Sequence, residues 1–231
     1  MLRHAIKTSA ARLGIFSAAR AVEAYFNALR GHVHDPDYVV LTEFVGSGDI
    51  ADIGANIGQS VVSLHRLFPG SRIHAFEPNP QCRKVLDRVI RIARANADVT
   101  ACGLGRERDT LVFSVPVTRD GVELLQEGSF DSSVFDEPIT RSRIGADFSL
   151  KRLSVPIARL DDFPGKYSLL KIDVQGLEMA VLEGAGETIR RDRPVIFLER
   201  DARVEADISS FLSHLGYEPR ILTNNAMYLP K

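Results

Sequence analysis

The sequence has few cysteines. Its 231 residues include only Cys82 and Cys102, which form no CxxC pair and have no paired histidines nearby. This pattern argues against a structural zinc site and a disulfide scaffold, and it favours free thiols in a reducing compartment. We therefore predict a cytoplasmic protein.

The sequence also lacks an excess of one charge and a long apolar run. Its formal net charge of −1 provides no global field that would draw the protein to nucleic acid or to an anionic membrane. No segment approaches the ~18–20 consecutive apolar residues of a membrane-spanning helix. The basic residues of 81–96 are not interleaved with aromatic residues that could stack on bases, so a solvated helix face is favoured. We expect no nucleic-acid partner and no transmembrane segment.

Residues 1–44 differ from the rest of the chain. Apolar positions recur at helical spacing, and five Lys or Arg stand against one acid within the first 31 residues. We predict a helical segment that packs on the domain or covers its substrate side. A transit peptide or a membrane-surface helix has similar features, so peripheral membrane contact stays open.

Residues 45–231 alternate between short apolar runs and amphipathic segments. Strands are predicted over 49–55, 72–78, 98–105, 167–176 and 194–200, helices over 59–68, 81–96, 177–191 and 205–216, and a closing strand pair within 218–230. Two further β-like runs, 109–117 and 151–160, bracket an insertion over 119–150. This alternation predicts an α/β domain with a parallel sheet covered on both faces.

The sequence DIGANIG turns the first strand into the first helix. Gly54 and Gly58 would let a ligand approach the backbone closely, and Glu77, at the end of the next strand, could accept hydrogen bonds from ribose hydroxyls. A dinucleotide loop has a further glycine, in GxGxxG, and cradles a pyrophosphate that Asp52 would repel. The pattern therefore favours S-adenosylmethionine, which is cationic and has no phosphate. An NAD(P)-dependent oxidoreductase and a turn without a ligand are the alternatives.

A second motif, LLKIDVQGLE, adds Lys171 and Asp173 to an apolar strand near its carboxyl end. Asp173 or Gln175 could cap the following helix, and Glu178 would meet the positive end of that helix. Capping does not explain an acid within an apolar strand, which indicates a role in chemistry.

These motifs, with HAFEPNP (74–80), GSFDSSVFDEP (128–138), VPIARLDDF (155–163) and PVIFLER (194–200), resemble the FkbM family of S-adenosylmethionine-dependent methyltransferases. The resemblance covers roughly residues 45–200. It implies a Rossmann-like class I methyltransferase fold with a mainly parallel seven-stranded sheet and helices on both faces. It also implies methyl transfer to a hydroxyl oxygen of a sugar, glycolipid or secondary metabolite, with S-adenosylhomocysteine as the product.

The resemblance assigns site residues by position. The methionine end of the cofactor is expected at Asp52, Gly54, Asn56 and Gly58. The ribose is expected at Glu77, with Pro78 and Asn79 shaping the turn beside the adenine. The adenine is expected near residues 102–104, including Gly103 and Leu104. The acceptor wall or a lid is expected at Ser132 and Ser133.

A hydroxyl acceptor is a poor nucleophile while it is protonated, so a base or a metal should assist. Asp173 is the first candidate base, followed by Glu199 and Glu178. Mg²⁺ bound by Asp173 and Glu199 is the alternative, because oxygen ligands suit that ion. His32 and His34 lie in the N-terminal connection, which could fold over the site. A small-molecule or glycan acceptor is expected, and a non-catalytic member that retains the cofactor pocket remains a further alternative.

Overall fold

A computed structural model describes residues 25–26, 29–30, 32–145 and 147–231 of the chain. Most of the predicted N-terminal helical segment lies outside these residues. The boundary predicted at residue 44 stays a prediction.

The described residues contain ten strands, numbered in chain order. They are β1 (Asp49–Ile53), β2 (Ile73–Phe76), β3 (Ala97–Thr100), β4 (Gly103–Leu104), β5 (Asp109–Thr118), β6 (Phe148–Ala158), β7 (Tyr167–Ile172), β8 (Val195–Glu199), β9 (Tyr217–Ile221) and β10 (Asn225–Pro230). The helices are α1 (Asp37–Val40), α2 (Gln59–Leu67), α3 (Pro80–Ala93), α4 (Pro138–Ile144), α5 (Glu178–Gly184), α6 (Gly186–Asp192) and α7 (Glu205–His214).

Seven of the strands form one sheet in the order β3-β2-β1-β7-β8-β10-β9. The first five of these strands run parallel, and β10 is antiparallel to both β8 and β9. This arrangement confirms the predicted α/β fold class, the mainly parallel seven-stranded sheet and the closing strand pair. The carboxyl ends of β2, β1, β7 and β8 meet along one edge of the sheet, where ligands bind in open α/β folds.

The sheet separates two apolar cores, because successive side chains of a strand point to opposite faces. Ile50 of β1 belongs to a buried cluster with Leu64 of α2, on the face that α1 to α3 cover. The next residue, Ala51, belongs to the cluster with Leu212 of α7, on the face that α5 to α7 cover. Helices therefore lie on both faces, as predicted.

Two predicted elements are divided in the structure. The strand predicted over 98–105 is wrong as a single strand: β3 ends at Thr100, and β4 joins β6 and β5 in a second, three-stranded sheet. The helix predicted over 177–191 is two helices, separated at Ala185. At that break a Cβ on Gly184 would lie only 1.9 Å from the carbonyl oxygen of Gly105, so close backbone packing fixes the path of the chain there.

The predicted insertion, 119–150, contains local helical structure. It holds 3-10 helices over Leu125–Glu127 and Ser132–Asp136, then α4, and its last residues already belong to β6. Backbone hydrogen bonds in both directions between Ser114 and Ser129 join it to β5. Within the part of the chain that the structure describes, no helix has the length and apolar character needed to cross a bilayer.

Candidate active site

A cleft of about 290 Å³ lies at the carboxyl ends of β1, β2, β7 and β8. Its volume is near the lower end of the ~300–1,000 Å³ of ligand pockets. Residues of both sequence motifs border it together. Among the predicted site residues, those on its wall are Gly54, Asn56, Glu77, Pro78, Gly103, Leu104, Asp173 and Glu199.

The loop from Gly54 to Gly58, the glycine loop, lies directly against the end of β7. Gly54 has φ +82°, and a Cβ there would lie 1.8 Å from the backbone oxygen of Asp173. Asn56 also has positive φ, at +49°, which asparagine tolerates better than most residues. Its side-chain oxygen is buried and has no hydrogen-bond partner among the described residues. A buried polar atom without a partner is unfavourable, so this oxygen is suited to a donor from a ligand in the cleft.

Glu77 is held rigidly by the backbone around it. Its Oε2 accepts a hydrogen bond from the N–H of Asn56 at 2.8 Å, and its Oε1 accepts one from the N–H of Asn79 at 2.7 Å. Burial raises the pKa of Glu77 to about 7, against the opposing effect of these two donors. Each carboxylate oxygen retains a second lone pair, so the group can still accept hydroxyl donors from the cleft.

The wall next to Glu77 is built by the second sheet and the insertion. Gly103 and Leu104 of β4 line it with Phe130 of the insertion, whose ring is 4.9 Å from that of Phe113 of β5. A Cβ on Gly103 would lie 2.8 Å from Cδ1 of Ile157 and 3.4 Å from the Phe130 ring. Because residue 103 is a glycine and has no Cβ, Phe130 and Ile157 can pack closely against β4.

A buried ammonium group joins the two motifs. Nζ of Lys171 donates to the carbonyl oxygen of Gly54 at 2.9 Å, lies 3.0 Å from Oδ1 of Asp52, and lies 3.8 Å from Oδ2 of Asp173. Burial lowers the pKa of Lys171, but Asp52, Asp173 and Glu199 outweigh that effect and raise it. Lys171 therefore stays charged and holds the glycine loop against β7.

Two carboxyl groups, those of Asp173 and Glu199, lie near each other on the cleft wall, next to the glycine loop. The side-chain nitrogen of Gln175 donates to Oδ1 of Asp173 at 2.8 Å and to Oε2 of Glu199 at 3.2 Å. Although Glu199 is open to the cleft, protein packs around its remaining sides. That burial raises the pKa of Glu199 to about 7, and Asp173 acts in the same direction. At neutral pH Glu199 is therefore protonated in a large part of the molecules, which relieves the repulsion between the two groups.

The insertion contacts Gln175, the residue that bridges the two acids. Oγ of Ser129 donates to the carbonyl oxygen of Gln175 at 2.9 Å. Gln175 has φ +57°, a left-handed conformation that turns the chain sharply after β7. The position of the bridging amide therefore depends on the insertion.

The comparisons with known proteins agree with this arrangement. The family model described as Methyltransferase FkbM domain matches residues 52–219, which include both motifs and the acid pair. The chain belongs to the FkbM methyltransferase family. The family resemblance expected from the motifs is confirmed.

Two similar proteins are named as methyltransferases. Methyltransferase sdnD of Sordaria araneosa is 33% identical over 158 residues, which make up 60% of this chain and 60% of that protein. Methyltransferase 1 of Beauveria bassiana is 30% identical over 151 residues, 58% of this chain and 57% of that protein. The matched region thus spans less than two thirds of the length of these relatives.

Solved structures share the fold. The methyltransferase FkbM of Methylobacillus flagellatus has a TM-score of 0.54 at 17% identity, over 92% of this chain and 60% of that chain. A protein of Corynebacterium glutamicum has a TM-score of 0.51 at 12% identity, over 92% of this chain and 88% of that one. The predicted class I methyltransferase fold is therefore confirmed for this FkbM-family chain.

Three residues predicted to hold the cofactor lie behind the cleft wall. Asp52 is fully buried, where it accepts a hydrogen bond from Oγ of Ser60 at 2.5 Å and pairs with Lys171. Gly58 has φ +94° and precedes α2, where a Cβ would lie 2.9 Å from a methyl of Leu86. Asn79 caps α3. These residues support the wall, and the cationic partner of Asp52 is Lys171 of this chain.

Three other predicted residues also lie outside the wall. Glu178 is buried at the start of α5, where both carboxylate oxygens accept from the N–H of Gly176 at 3.2 Å. Ser132 and Ser133 are exposed on a 3-10 helix, and Asp131 caps that helix through the N–H of Ser133. Acceptor and base roles for these residues stay predictions without support from their positions.

His34 and Tyr38 border the cleft, although the motifs assigned them no role. With Lys171, Asp173 and Glu199 they also border an adjoining cavity of about 130 Å³, whose other walls come from the N-terminal connection and the turn before β10. The rings of His34 and Tyr38 meet edge to face at 4.7 Å. The sequence signal for His34 was a histidine in a segment that could fold over the site, and Tyr38 carried none.

The predicted Mg²⁺ alternative finds no support. Within the residues that the structure describes, no group of three or more His, Cys, Asp or Glu side chains is arranged to hold a metal ion. The ammonium group of Lys171 already lies beside Asp173 and supplies positive charge there.

Proposed function

We propose that this chain is an S-adenosylmethionine-dependent methyltransferase that methylates a hydroxyl oxygen of a sugar, glycolipid or secondary metabolite. The observation that carries the proposal is the shared cleft. The glycine loop and Glu77 border one part of it, and the acid pair Asp173–Glu199 borders another. Membership in the FkbM family supports the methyl-transfer chemistry.

The residues present fit the cofactor. Glu77 would accept hydrogen bonds from the ribose hydroxyls, and the unpartnered side-chain oxygen of Asn56 would accept a donor from the methionine end. Gly103, Leu104 and Phe130 would enclose the adenine. When it is bound, S-adenosylmethionine would supply an electrophilic methyl group for transfer to the acceptor oxygen.

The chain itself would align the acceptor hydroxyl with the donor. Such alignment of two reactants can contribute ~7–11 kcal/mol to lowering a barrier. Asp173 and Glu199 would hold the hydroxyl by accepting or donating a hydrogen bond, since Glu199 carries a proton in part of the molecules. The adjoining cavity, with His34 and Tyr38, would receive the rest of the acceptor.

Isothermal titration with S-adenosylmethionine and S-adenosylhomocysteine tests the proposal directly. We expect micromolar binding, followed by cofactor consumption with at least one acceptor in a screen of glycosides, lipid-linked sugars and polyketide alcohols. No binding at millimolar cofactor contradicts the proposal. A melting assay in which NADH protects the protein and S-adenosylhomocysteine does not would favour the oxidoreductase instead. Cofactor binding without turnover of any acceptor would favour a non-catalytic member.

A further inference from the structure

The hydrogen bonds around His34 define which of its ring nitrogens carries the proton. The backbone N–H of His34 donates to Oγ of Ser63 at 3.0 Å, and Nδ1 of its ring lies 2.7 Å from the same oxygen. Oγ of Ser63 in turn donates to the carbonyl oxygen of Gln59 at 3.1 Å. A serine hydroxyl has one proton to donate and two lone pairs to accept with.

These three contacts are all hydrogen bonds only if Nδ1 of His34 carries the proton. Ser63 then uses its one proton on Gln59 and accepts from both the backbone and the ring of His34. The opposite tautomer would require Ser63 to donate to Nδ1 and would lose the bond to Gln59. Ser63 is fully buried, so the lost bond would not be replaced by water. The Nδ1–H tautomer is therefore favoured, and Nε2 keeps its lone pair.

Nε2 has no hydrogen-bond partner among the described residues, and the side chain of His34 is open to solvent at the cleft. The ring borders both the cleft and the adjoining cavity, so it lies where the two meet at Asp173 and Glu199. Asp173, the base expected from the sequence, is already engaged by Gln175 and lies near Lys171. Nε2 of His34 is a neighbouring basic nitrogen that no described group engages in a hydrogen bond.

We propose that Nε2 of His34 accepts the proton of the acceptor hydroxyl during methyl transfer. The inference rests on the proposed function. As the oxygen forms its bond to the methyl carbon, the O–H electron pair stays on oxygen and the proton moves to Nε2. The products are the methyl ether, S-adenosylhomocysteine and an imidazolium, which returns its proton to solvent through the cleft. Asp173 and Glu199 orient the hydroxyl, and Ser63 positions the ring.

The charges around His34 are compatible with a neutral imidazole that can be protonated in turn. Surrounding protein atoms lower the pKa of His34, and Lys171 adds to that effect, while Asp35, Asp52 and Asp173 oppose it. The resting base is therefore neutral near pH 7, and the carboxylates stabilise the imidazolium that forms. The ionisable groups that act on the ring or line either of its cavities are Asp35, Tyr38, Asp52, Glu77, Cys82, Glu127, Lys171, Asp173 and Glu199.

The tautomer can be measured without any acceptor. Long-range ¹H–¹⁵N spectra of uniformly labelled protein report the protonated nitrogen of each histidine, and His34→Asn identifies the His34 signals by their loss. We expect the Nδ1–H tautomer at pH 7.5 in the wild type and a mixture of tautomers in Ser63→Ala. An Nε2–H tautomer or an imidazolium at pH 7.5 overturns the inference.

The catalytic role is tested with the acceptor that gives the highest turnover in the screen. In His34→Asn the side-chain amide can still donate to Ser63, but the basic nitrogen is gone. We expect kcat to fall about 100-fold or more, since a positioned base contributes ~10²–10⁴-fold. The affinity for S-adenosylhomocysteine should stay within about twofold, and the acidic limb of the kcat–pH profile should disappear. His32→Asn, an exposed histidine outside both cavities, is the matched control and should leave kcat unchanged.

Two failures are distinguishable. If wild-type protein does not bind S-adenosylhomocysteine, the proposed function falls whatever the tautomer. If wild type and His34→Asn bind it equally and turn over the acceptor at rates within about threefold, methyl transfer stands and the assignment of His34 is overturned.

Discussion

The backbone oxygen of Asp173 lies directly against Gly54. A Cβ at position 54 would be 1.8 Å from that oxygen and 2.8 Å from the carbonyl carbon. The loop that would hold the cofactor and the strand end that carries the acid are therefore in backbone contact, with no side chain between them. A change on either side of this contact must displace the other.

Gly54→Ala should damage both stability and cofactor binding. The methyl group meets backbone atoms that cannot rotate away, and the φ of +82° is strained for alanine. We expect a loss of about 2–5 kcal/mol in the free energy of unfolding, from overpacking and backbone strain together. Urea unfolding and titration with S-adenosylhomocysteine measure the two effects. Gly70→Ala is the control, because nothing lies within 4 Å of its Cβ position, and equal stability of the two variants would contradict the prediction.

Lys171→Met should destabilise the fold by leaving Asp52 buried without its counter-ion. The side chains of Lys171 and Asp52 are 5% and 0% exposed, and breaking a buried ion pair typically costs about 3–5 kcal/mol. The double variant Asp52→Asn with Lys171→Met should recover part of that loss, because the uncompensated charge is gone. Urea unfolding of the two single variants and the double variant measures this coupling. Strictly additive losses would show that the two groups do not interact.

The affinity for S-adenosylhomocysteine should rise with pH through about 7. Burial raises the pKa of Glu77 to about 7, and its ionised form is the better acceptor for ribose hydroxyls. Glu77→Gln should weaken binding about tenfold or more, since a hydrogen bond to a charged group is worth about 1.5–3 kcal/mol, and should flatten the pH dependence. Calorimetric titration from pH 6 to 8 measures both effects, with the exposed Glu107→Gln as the control. A pH-independent affinity in the wild type would contradict the assignment.

Glu77 should also affect the pH dependence of folding. Its pKa in the folded protein is higher than its ordinary value of 4.5, so the folded state holds this proton more tightly than the unfolded chain does. Its contribution to stability is therefore fully present below about pH 4.5 and is lost as the pH rises to about 7. The ligand-free wild type should lose this contribution between pH 5 and 7 in urea unfolding, and Glu77→Gln should not.

Asp37 should stabilise the protein at neutral pH and lose that effect in acid. Its carboxylate accepts from the N–H groups of Thr223, Asn224 and Asn225, between 2.8 and 3.4 Å. Burial alone would raise its pKa, but these donors outweigh burial and lower it from 3.8. The contribution is therefore present above about pH 4 and is lost as the pH falls below that value.

Asp37→Asn tests this contact. We expect a loss of about 1.5–3 kcal/mol at pH 7, because the replaced group is a charged hydrogen-bond acceptor. The difference from the wild type should shrink below pH 4 in urea unfolding. Asp207→Asn, at an exposed position of α7, is the control. A difference that stays constant down to pH 3 would show that the charge of Asp37 is not what stabilises this turn.

The sequence predicted the residues whose positions follow from the local pattern of strands and turns. Gly54, Glu77, Asp173 and Glu199 each lie at or just beyond the end of a parallel strand, and the carboxyl ends of such strands share an edge. Their meeting in one cleft therefore needed only the correct fold class. Glu178 lies in the first turn of α5, at the positive helix end, as the pattern indicated. The expected cap by Asp173 or Gln175 is wrong, because no side chain among the described residues caps this helix.

The pairing of Asp52 could not be predicted because it depends on strand register. In the β1–β7 ladder Asp52 lies opposite Lys171, a residue that comes more than a hundred positions later in the chain. The strand pairing of Gly103 could not be predicted either. β4 leaves the main sheet, and Gly103 pairs with Ile157, which no local pattern indicates. The position of His34 depends on tertiary packing of the N-terminal connection, about which the periodicity of the sequence carries no information.

The hydrogen bond from Ser129 to the carbonyl oxygen of Gln175 has a thermodynamic consequence. Phe130, the next residue, borders the part of the cleft proposed for adenine, while the side chain of Gln175 bridges the two acids. Binding of a ligand beside Phe130 and the position of the side chain that bridges the two acids are therefore coupled through this hydrogen bond. A coupling between two binding equilibria acts equally in both directions. The factor by which S-adenosylhomocysteine changes the affinity for the acceptor must equal the factor by which the acceptor changes the affinity for S-adenosylhomocysteine. Removing the hydroxyl of Ser129 would bring that shared factor closer to one.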